Sequence, residues 1–141
     1  MKVIDPVLLA ERSRVLECHL VRLQATLPAD PVTFRRGTDT MDVVSLHLLF
    51  SVQIVLDLAI FGCIHFGLQA PASYDEAIAR LAHAGRISDP LADRLEKAAT
   101  FRDAFVHAFD DLDPMAIHRA ARALPDDLRM FMAEIAGHLG E

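Results

Sequence analysis

The stretch VVSLHLLFSVQIVLDLAIFGCIHF, residues 43–66, is the most apolar part of the 141-residue chain and decides its fold. It is long enough to span a bilayer, but a carboxylate near the middle of a lone spanning helix is costly. At about 100° per residue, Asp42, Gln53 and Asp57 fall within about 60° of one another. We therefore expect the central helix of a soluble bundle, with no membrane partner and with one polar strip that forms a buried hydrogen-bond network.

Helix signals precede and follow this stretch, and no segment alternates with the period of two that marks a strand. Proline has no N–H for the helix ladder, so Pro28 should end a first helix, and residues 28–40 should form a loop. The boundary signals predict helices from Pro6 to about Leu27, from a cap at Thr38, Asp39 or Thr40 to Gly67, from Ser73 to Gly85, from Ser88 to about Phe109, and from Asp113 to a break at Pro125, with a last segment to about His138. The chain is therefore predicted to be one all-α domain over residues 1–141, an up-and-down bundle of about five helices.

Composition narrows the classes of function. With 52% hydrophobic residues, the chain is not disordered. Its net charge of −6 argues against broad binding to nucleic acid, although it leaves room for a local basic pocket. Only Lys2 and Lys97 among the 14 basic residues are lysines, and the arginines offer planar forks of donors that suit phosphates. The mean hydropathy of +0.27 indicates either an element buried on all sides or an apolar patch that faces a partner.

Neither the cysteines nor the histidines form a metal or cofactor motif. Cys18 and Cys63 are far apart, so we expect buried free thiols in a cytoplasmic protein whose N-terminus lacks a signal peptide. There is no HExxH or HxxxH pair, no glycine-rich phosphate loop and no GxSxG. His47 and His65 are expected in the core or in an interface. The acidic run Asp110, Asp111 and Asp113 matches no Ca²⁺ loop, and its last member is predicted to cap the fifth helix. We expect no metal site and no cofactor.

The segment FRDAFVHAF, residues 101–109, contains the strongest candidates for catalytic side chains. Asp103 and His107 are four apart, so they share one face of the predicted fourth helix, where the carboxylate can orient the imidazole. Arg102 lies about 140° round the helix from His107, so one chain does not aim both groups at one point. A homodimer that packs two such helices about a two-fold axis would bring two histidines and two arginines to a shared cleft.

Those groups suit the cleavage of an RNA phosphodiester. One histidine removes the proton from a ribose 2′-OH, a second protonates the leaving 5′-oxygen, and arginine stabilises the charge that builds on the phosphate. Because RNA supplies its own nucleophile, this chemistry requires no metal, and DNA would be inert.

The stretch from Pro71 to Asp113 resembles the HepT-like family within the HEPN superfamily of helical ribonucleases. The likeness rests on the P-x-S-Y-x-E-A helix start, the A-G-x-I-S turn, the F-R-(N/D)-x-x-V-H core and the trailing L-D. The family motif is an arginine, a polar residue, three further residues and a histidine, and Arg102, Asp103 and His107 match it position by position. The resemblance implies that these three residues are catalytic.

The resemblance also implies a homodimeric, metal-independent endoribonuclease that acts as the toxin of a toxin–antitoxin pair. Its substrate would be RNA, and its antitoxin a small nucleotidyltransferase that transfers AMP to a tyrosine two residues after the histidine. Here that position is Phe109, whose ring cannot be adenylylated, and nothing in the sequence points to Tyr74 as a substitute. Two alternatives stay open: a catalytically weakened helical module that binds a nucleotidyltransferase or nucleotides, and a helical interaction protein in which Arg102 and His107 are incidental.

Overall fold

Five α-helices build the protein in the computed structural model, which describes residues 3–140. They are α1 (Pro6–Thr26), α2 (Asp39–His65), α3 (Tyr74–His83), α4 (Asp89–Ala108) and α5 (Pro114–Ala136). Two short 3-10 turns, Pro31–Thr33 and Phe109–Asp111, lie before α2 and after α4. No strand occurs within the described residues, and the predicted all-α fold of about five helices is confirmed.

The central element is α2, and each of the other four helices packs against it. Its buried side chains run along its whole length and include Val44, Leu48, Val52, Val55, Ala59 and Cys63. By length and composition α2 could cross a membrane, since an 18-residue window has a mean hydropathy of 2.1, but half of that window is buried inside the bundle. Its surroundings are those of a core helix, as the polar side chains within residues 43–66 predict.

Local capping explains where α2 and α3 begin. The Thr38 side chain caps α2. At the start of α3, Ser73 Oγ accepts a hydrogen bond from the Glu76 N–H at 3.1 Å, and the Glu76 carboxylate accepts one from the Ala72 N–H at 2.8 Å. Gly85 follows α3 with a φ of 73°, a conformation that favours glycine. The predicted Ser73 cap and the predicted C-terminal glycine of α3 are confirmed, whereas the return bond of the predicted capping box differs, because the Glu76 carboxylate accepts from the Ala72 N–H and not from that of Ser73.

The predicted break at Pro125 is wrong, because α5 runs without interruption from Pro114 to Ala136. Proline removes one helical hydrogen bond and crowds the preceding turn. Here the Pro125 ring is buried, with Leu124 and Leu128 buried beside it, so packing against the other helices holds the segment helical. The start of α5 follows the prediction, since the Asp113 side chain accepts a hydrogen bond from the backbone at its first turn.

The first turn of α4 is held by another helix rather than by its own cap. Ser88 precedes α4 as predicted, but its side chain makes no capping hydrogen bond. Its N–H and its hydroxyl donate instead to the Glu134 carboxylate of α5, at 2.7 and 3.3 Å. Both groups of Ser88 donate to one ionised carboxylate, so these charge-assisted hydrogen bonds join the start of α4 to α5.

Arg36 ties the segment before α2 to the segment after α4. Its guanidinium donates to the carbonyl oxygen of Phe109 at 3.3 Å and to that of Leu112. Near the middle of α2, Gln53 accepts a hydrogen bond from Arg102, which lies in the second half of α4. The two helices therefore run antiparallel, and the C-terminal turn of α4 lies beside the N-terminal half of α2.

Candidate active site

Arg102 is half-buried between α4, α2 and α3. Its Nε donates to Gln53 Oε1 at 3.0 Å, one of its Nη atoms donates to the Asp103 carboxylate at 3.2 Å, and its Cζ lies 5.4 Å from the centre of the Tyr74 ring. A guanidinium has five N–H donors, and these two hydrogen bonds are the ones that Arg102 makes within residues 3–140. Its plane is fixed, and donors remain for an anion such as a phosphate.

A small polar network stands behind Arg102. Gln53 Nε2 donates to the Tyr74 hydroxyl at 2.7 Å and to Asp57 Oδ1 at 2.8 Å. The Tyr74 hydroxyl in turn donates to Asp57 Oδ1 at 3.1 Å. Two members of the predicted polar strip thus form a hydrogen-bond network, although Gln53 and Asp57 are half-buried and not buried as predicted. The third, Asp42, is exposed and lies outside it.

His107 lies in the last turn of α4, and its side chain is exposed. Asp103, one turn earlier, is exposed as well, so the two residues share a solvent-facing side of α4 as their spacing predicts. The Asp103 carboxylate accepts a hydrogen bond from Arg102, and within the described chain no hydrogen bond joins it to the His107 ring. Arg102 turns toward α2 while His107 faces solvent, in keeping with their 140° separation.

Beside this site, α2 presents an apolar face to solvent. Leu46, Phe50, Phe61 and Ile64 are between 38% and 48% exposed, and they lie within about 60° of one another on the helix. We call these four residues the α2 face. A groove of about 460 Å³ between α1 and α2 is lined by Phe50 and Phe61 and also by Gln53 and Asp57. The α2 face is therefore continuous with the network that holds Arg102.

Tyr74 belongs to the polar network behind Arg102, which the sequence patterns did not predict. Tyr74 is the first residue of α3 and the only tyrosine of the chain, and its hydroxyl reaches Gln53 and Asp57 of α2. Spacing along one helix does not reveal a contact between two helices. The available signal was a lone tyrosine directly after the Ser73 cap, on a helix that was bound to pack against the long apolar one.

Two histidines meet at the junction of α1 and α2. The Nδ1 atoms of His19 and His47 are 2.9 Å apart, and burial is the main cause that lowers the pKa of both imidazoles. His65 is buried, and its Nδ1 accepts a hydrogen bond from the Ile4 N–H. These positions of His47 and His65 agree with the prediction. Within residues 3–140, no group of three or more His, Cys, Asp or Glu side chains is placed to hold a metal ion.

The two cysteines are free, as predicted, but they differ in exposure. Cys63 is buried in α2, where its Sγ donates to the Ala77 carbonyl oxygen and burial raises the pKa of its thiol. Cys18 is exposed, so the expectation of a buried thiol is wrong at that position.

Solved structures with this fold include proteins of toxin–antitoxin complexes. The tri-AMPylated Shewanella oneidensis HEPN toxin, in complex with the MNT antitoxin, has a TM-score of 0.84 and 21% identity over 96% of this chain and 100% of that one. A toxin–antitoxin structure with AMP-PNP has a TM-score of 0.82 and 21% identity over 94% of this chain and 99% of that one. YutE, a cytosolic protein of unknown function from Bacillus subtilis, has a TM-score of 0.82 and 18% identity over 99% and 93%. At these identities the likeness establishes the fold.

The family follows from the sequence. A profile described as ribonuclease HepT-like matches residues 16–135. The chain therefore belongs to the HepT-like ribonuclease family, as the Pro71–Asp113 stretch predicted. A search of the curated proteins gives no match.

Proposed function

We propose that this protein is a metal-independent endoribonuclease and the toxin of a toxin–antitoxin pair in the cytoplasm. The orientation of Arg102 is the observation that carries the proposal. Its guanidinium is fixed by Gln53 and keeps N–H donors for a phosphate, and the same helix exposes His107. Membership of the HepT-like ribonuclease family supports the same function.

In the proposed reaction, His107 of one subunit takes the proton from a ribose 2′-OH, and the 2′-oxygen attacks the adjacent phosphorus. The partner subunit's His107 gives a proton to the 5′-oxygen as the phosphorus–O5′ bond breaks. The products are a 2′,3′-cyclic phosphate and a 5′-hydroxyl. Arg102 donates to the non-bridging oxygens, where negative charge builds, and Asp103 positions the guanidinium beside them.

The mechanism needs a homodimer, since two histidines act on one phosphate. The α2 face supports this part of the proposal, because four large apolar side chains on one side of a helix favour association. Leu46 and Phe50 lie in the N-terminal half of α2, and the 47% exposed Val106 directly precedes His107 in the last turn of α4. A two-fold axis through this region brings the two copies of His107 toward one cleft.

We further propose that a nucleotidyltransferase-type antitoxin neutralises this protein by binding it. One similar solved structure is a tri-AMPylated HEPN toxin in complex with the MNT antitoxin. In this chain Phe109 stands two residues after His107, and a phenyl ring has no hydroxyl to accept AMP. Binding over the cleft requires no acceptor at this position.

The second candidate is a helical module with weakened catalysis that binds a nucleotidyltransferase or nucleotides. The observation that favours it is the ion pair between Arg102 and Asp103, which occupies part of the guanidinium, in a chain with a net charge of −6. The two candidates differ in one measurement, because the module binds its partner but leaves RNA intact.

Cleavage of RNA in the presence of EDTA tests the proposal. We expect 2′,3′-cyclic phosphate ends, and we expect His107→Ala and Arg102→Ala each to lower the rate by about 100-fold or more. Because His107 is exposed, its loss should change the free energy of unfolding by less than about 0.5 kcal/mol. Expression of the wild type should slow growth, and His107→Ala should relieve that effect.

The matched control is His83→Ala, which removes an exposed histidine from the last turn of α3 and should leave cleavage unchanged. Equal cleavage by His107→Ala and the wild type would overturn the role of His107. Loss of activity on chelation would replace the proposed mechanism with one that uses a metal.

A further inference from the structure

We propose that Gln53 is a positioning residue that sets the guanidinium of Arg102 for the phosphate, and this inference rests on the proposed function. Gln53 lies on α2, outside the family motif on α4. It is the group that joins Arg102 to both Asp57 and Tyr74.

The hydrogen bonds around Gln53 allow one orientation of its amide. An ionised carboxylate only accepts, so the Asp57 carboxylate must face the NH₂ end of the amide. The Tyr74 hydroxyl donates its hydrogen bond to Asp57, so its oxygen accepts one from the other N–H of Gln53. This arrangement leaves the amide oxygen pointing at Arg102 Nε, whereas a flipped amide would set that oxygen against the carboxylate.

The orientation of the amide determines the orientation of the guanidinium. A hydrogen bond to Nε fixes the plane of the group, and the Tyr74 ring lies 5.4 Å from its Cζ. Three helices thus contribute to one geometry: α2 through Gln53, α3 through Tyr74 and α4 through Arg102. An arginine side chain held in this way already points its remaining donors at the place where negative charge builds on the phosphate, so the transition state gains more from them than bound substrate does.

The kinetic test is Gln53→Met, which keeps the length of the side chain and removes its polar atoms. We expect kcat to fall by about 10- to 100-fold with little change in KM, because a misplaced guanidinium mainly affects the transition state. In an Arg102→Met background the same change should have no further effect, since Gln53 acts through Arg102. The matched control is Gln24→Met, which removes a glutamine–arginine hydrogen bond to Arg129 on the α1–α5 side of the bundle.

Exchanging the amide at position 53 with the carboxylate at position 57 provides a rescue experiment. Gln53→Glu keeps an acceptor for Arg102 but sets two carboxylates against each other, so activity should fall. Adding Asp57→Asn restores a donor opposite the new carboxylate, and activity should recover. Failure of the double variant to recover, in a chain that unfolds as the wild type does, would overturn the positioning role.

A spectroscopic readout separates this inference from the proposed function. The ¹⁵Nε–H group of Arg102 should be protected from hydrogen exchange in the wild type and lose that protection in Gln53→Met, while Arg129, bonded to Glu17, keeps its own. Loss of protection in a protein that cleaves no RNA would retain the positioning and reject the ribonuclease. An active wild type whose kcat and Arg102 signal are unchanged by Gln53→Met would reject the positioning and retain the ribonuclease.

Discussion

Phe109 is the residue that bears most directly on how the proposed antitoxin would neutralise this protein. Its half-buried ring packs against Phe105, with the ring centres 4.9 Å apart, directly after α4. A hydroxyl on this ring would supply an AMP acceptor at the position where the family resemblance places one. We expect Phe109→Tyr to become adenylylated when the nucleotidyltransferase and ATP are present, and its RNA cleavage to fall in proportion. Intact-mass spectrometry with peptide mapping measures both the extent and the place of the label.

The control removes the other tyrosine. Tyr74→Phe combined with Phe109→Tyr should still be labelled, since the acceptor is at position 109. An unlabelled Phe109→Tyr in the presence of an active nucleotidyltransferase would contradict this prediction. Adenylylation of the wild-type chain would contradict neutralisation by binding alone.

The sequence predicted which residues of α4 share a face, but it did not predict the partner of each. Four-residue spacing places Asp103 and His107 on one exposed side. The carboxylate accepts instead from the guanidinium of Arg102, so this hydrogen bond joins two oppositely charged groups. Tyr74 was beyond such reasoning, since its place in the site depends on how α3 packs against α2.

Helix boundaries that neighbouring residues determine were predictable from the sequence. Boundaries that depend on contacts with distant parts of the chain were not. The cap of α3 lies within residues 72–76 and was read from the sequence. The continuity of α5 through Pro125 depends on burial against other helices, and the bond from Ser88 to Glu134 joins residues 46 positions apart. Neither contact leaves a periodic signal in the chain.

The junction of α1 and α2 should make stability depend on pH. Burial lowers the pKa of His19 and of His47, and the charge of Arg22 lowers both further. The folded chain then binds protons more weakly than the unfolded chain, so this stability is present above about pH 6.5 and is lost as the pH falls below it. We expect a lower urea midpoint at about pH 5.5 than at about pH 7.5, and a smaller difference in His47→Gln.

His83→Gln serves as the control for this experiment, because His83 is exposed on α3 and away from the junction. Its pH dependence should match that of the wild type. If His47→Gln and the wild type lost the same stability on acidification, the contact between His19 and His47 would not be the cause.

At the scale of the whole molecule, the α2 face should decide the oligomeric state. The mean hydropathy predicted an apolar patch or a fully buried element, and α2 supplies a buried core on one side and an exposed apolar face on the other. We expect the wild type to be a dimer by light scattering at micromolar concentration. Phe50→Glu should yield a folded monomer that no longer cleaves RNA, since Phe50 is 45% exposed and a charge there costs little in the monomer.

Met130→Glu is the matched control, because Met130 is 42% exposed on α5 and away from the α2 face. It should remain a dimer and keep its activity. A wild type that is monomeric and still active, or a Phe50→Glu variant that stays dimeric, would contradict this assignment of the interface.

The ion pair between Arg102 and Asp103 affects which anions can bind at the site. The Asp103 carboxylate lies 3.2 Å from the guanidinium and takes one of its donors, so an anion that binds the remaining donors meets the repulsion of this negative charge. A small anion has only those donors to offset the repulsion. An RNA strand that also contacts other parts of the cleft has further contacts to offset it. The carboxylate of Asp103 would thus weaken the binding of small anionic metabolites to Arg102 more than the binding of long RNA strands.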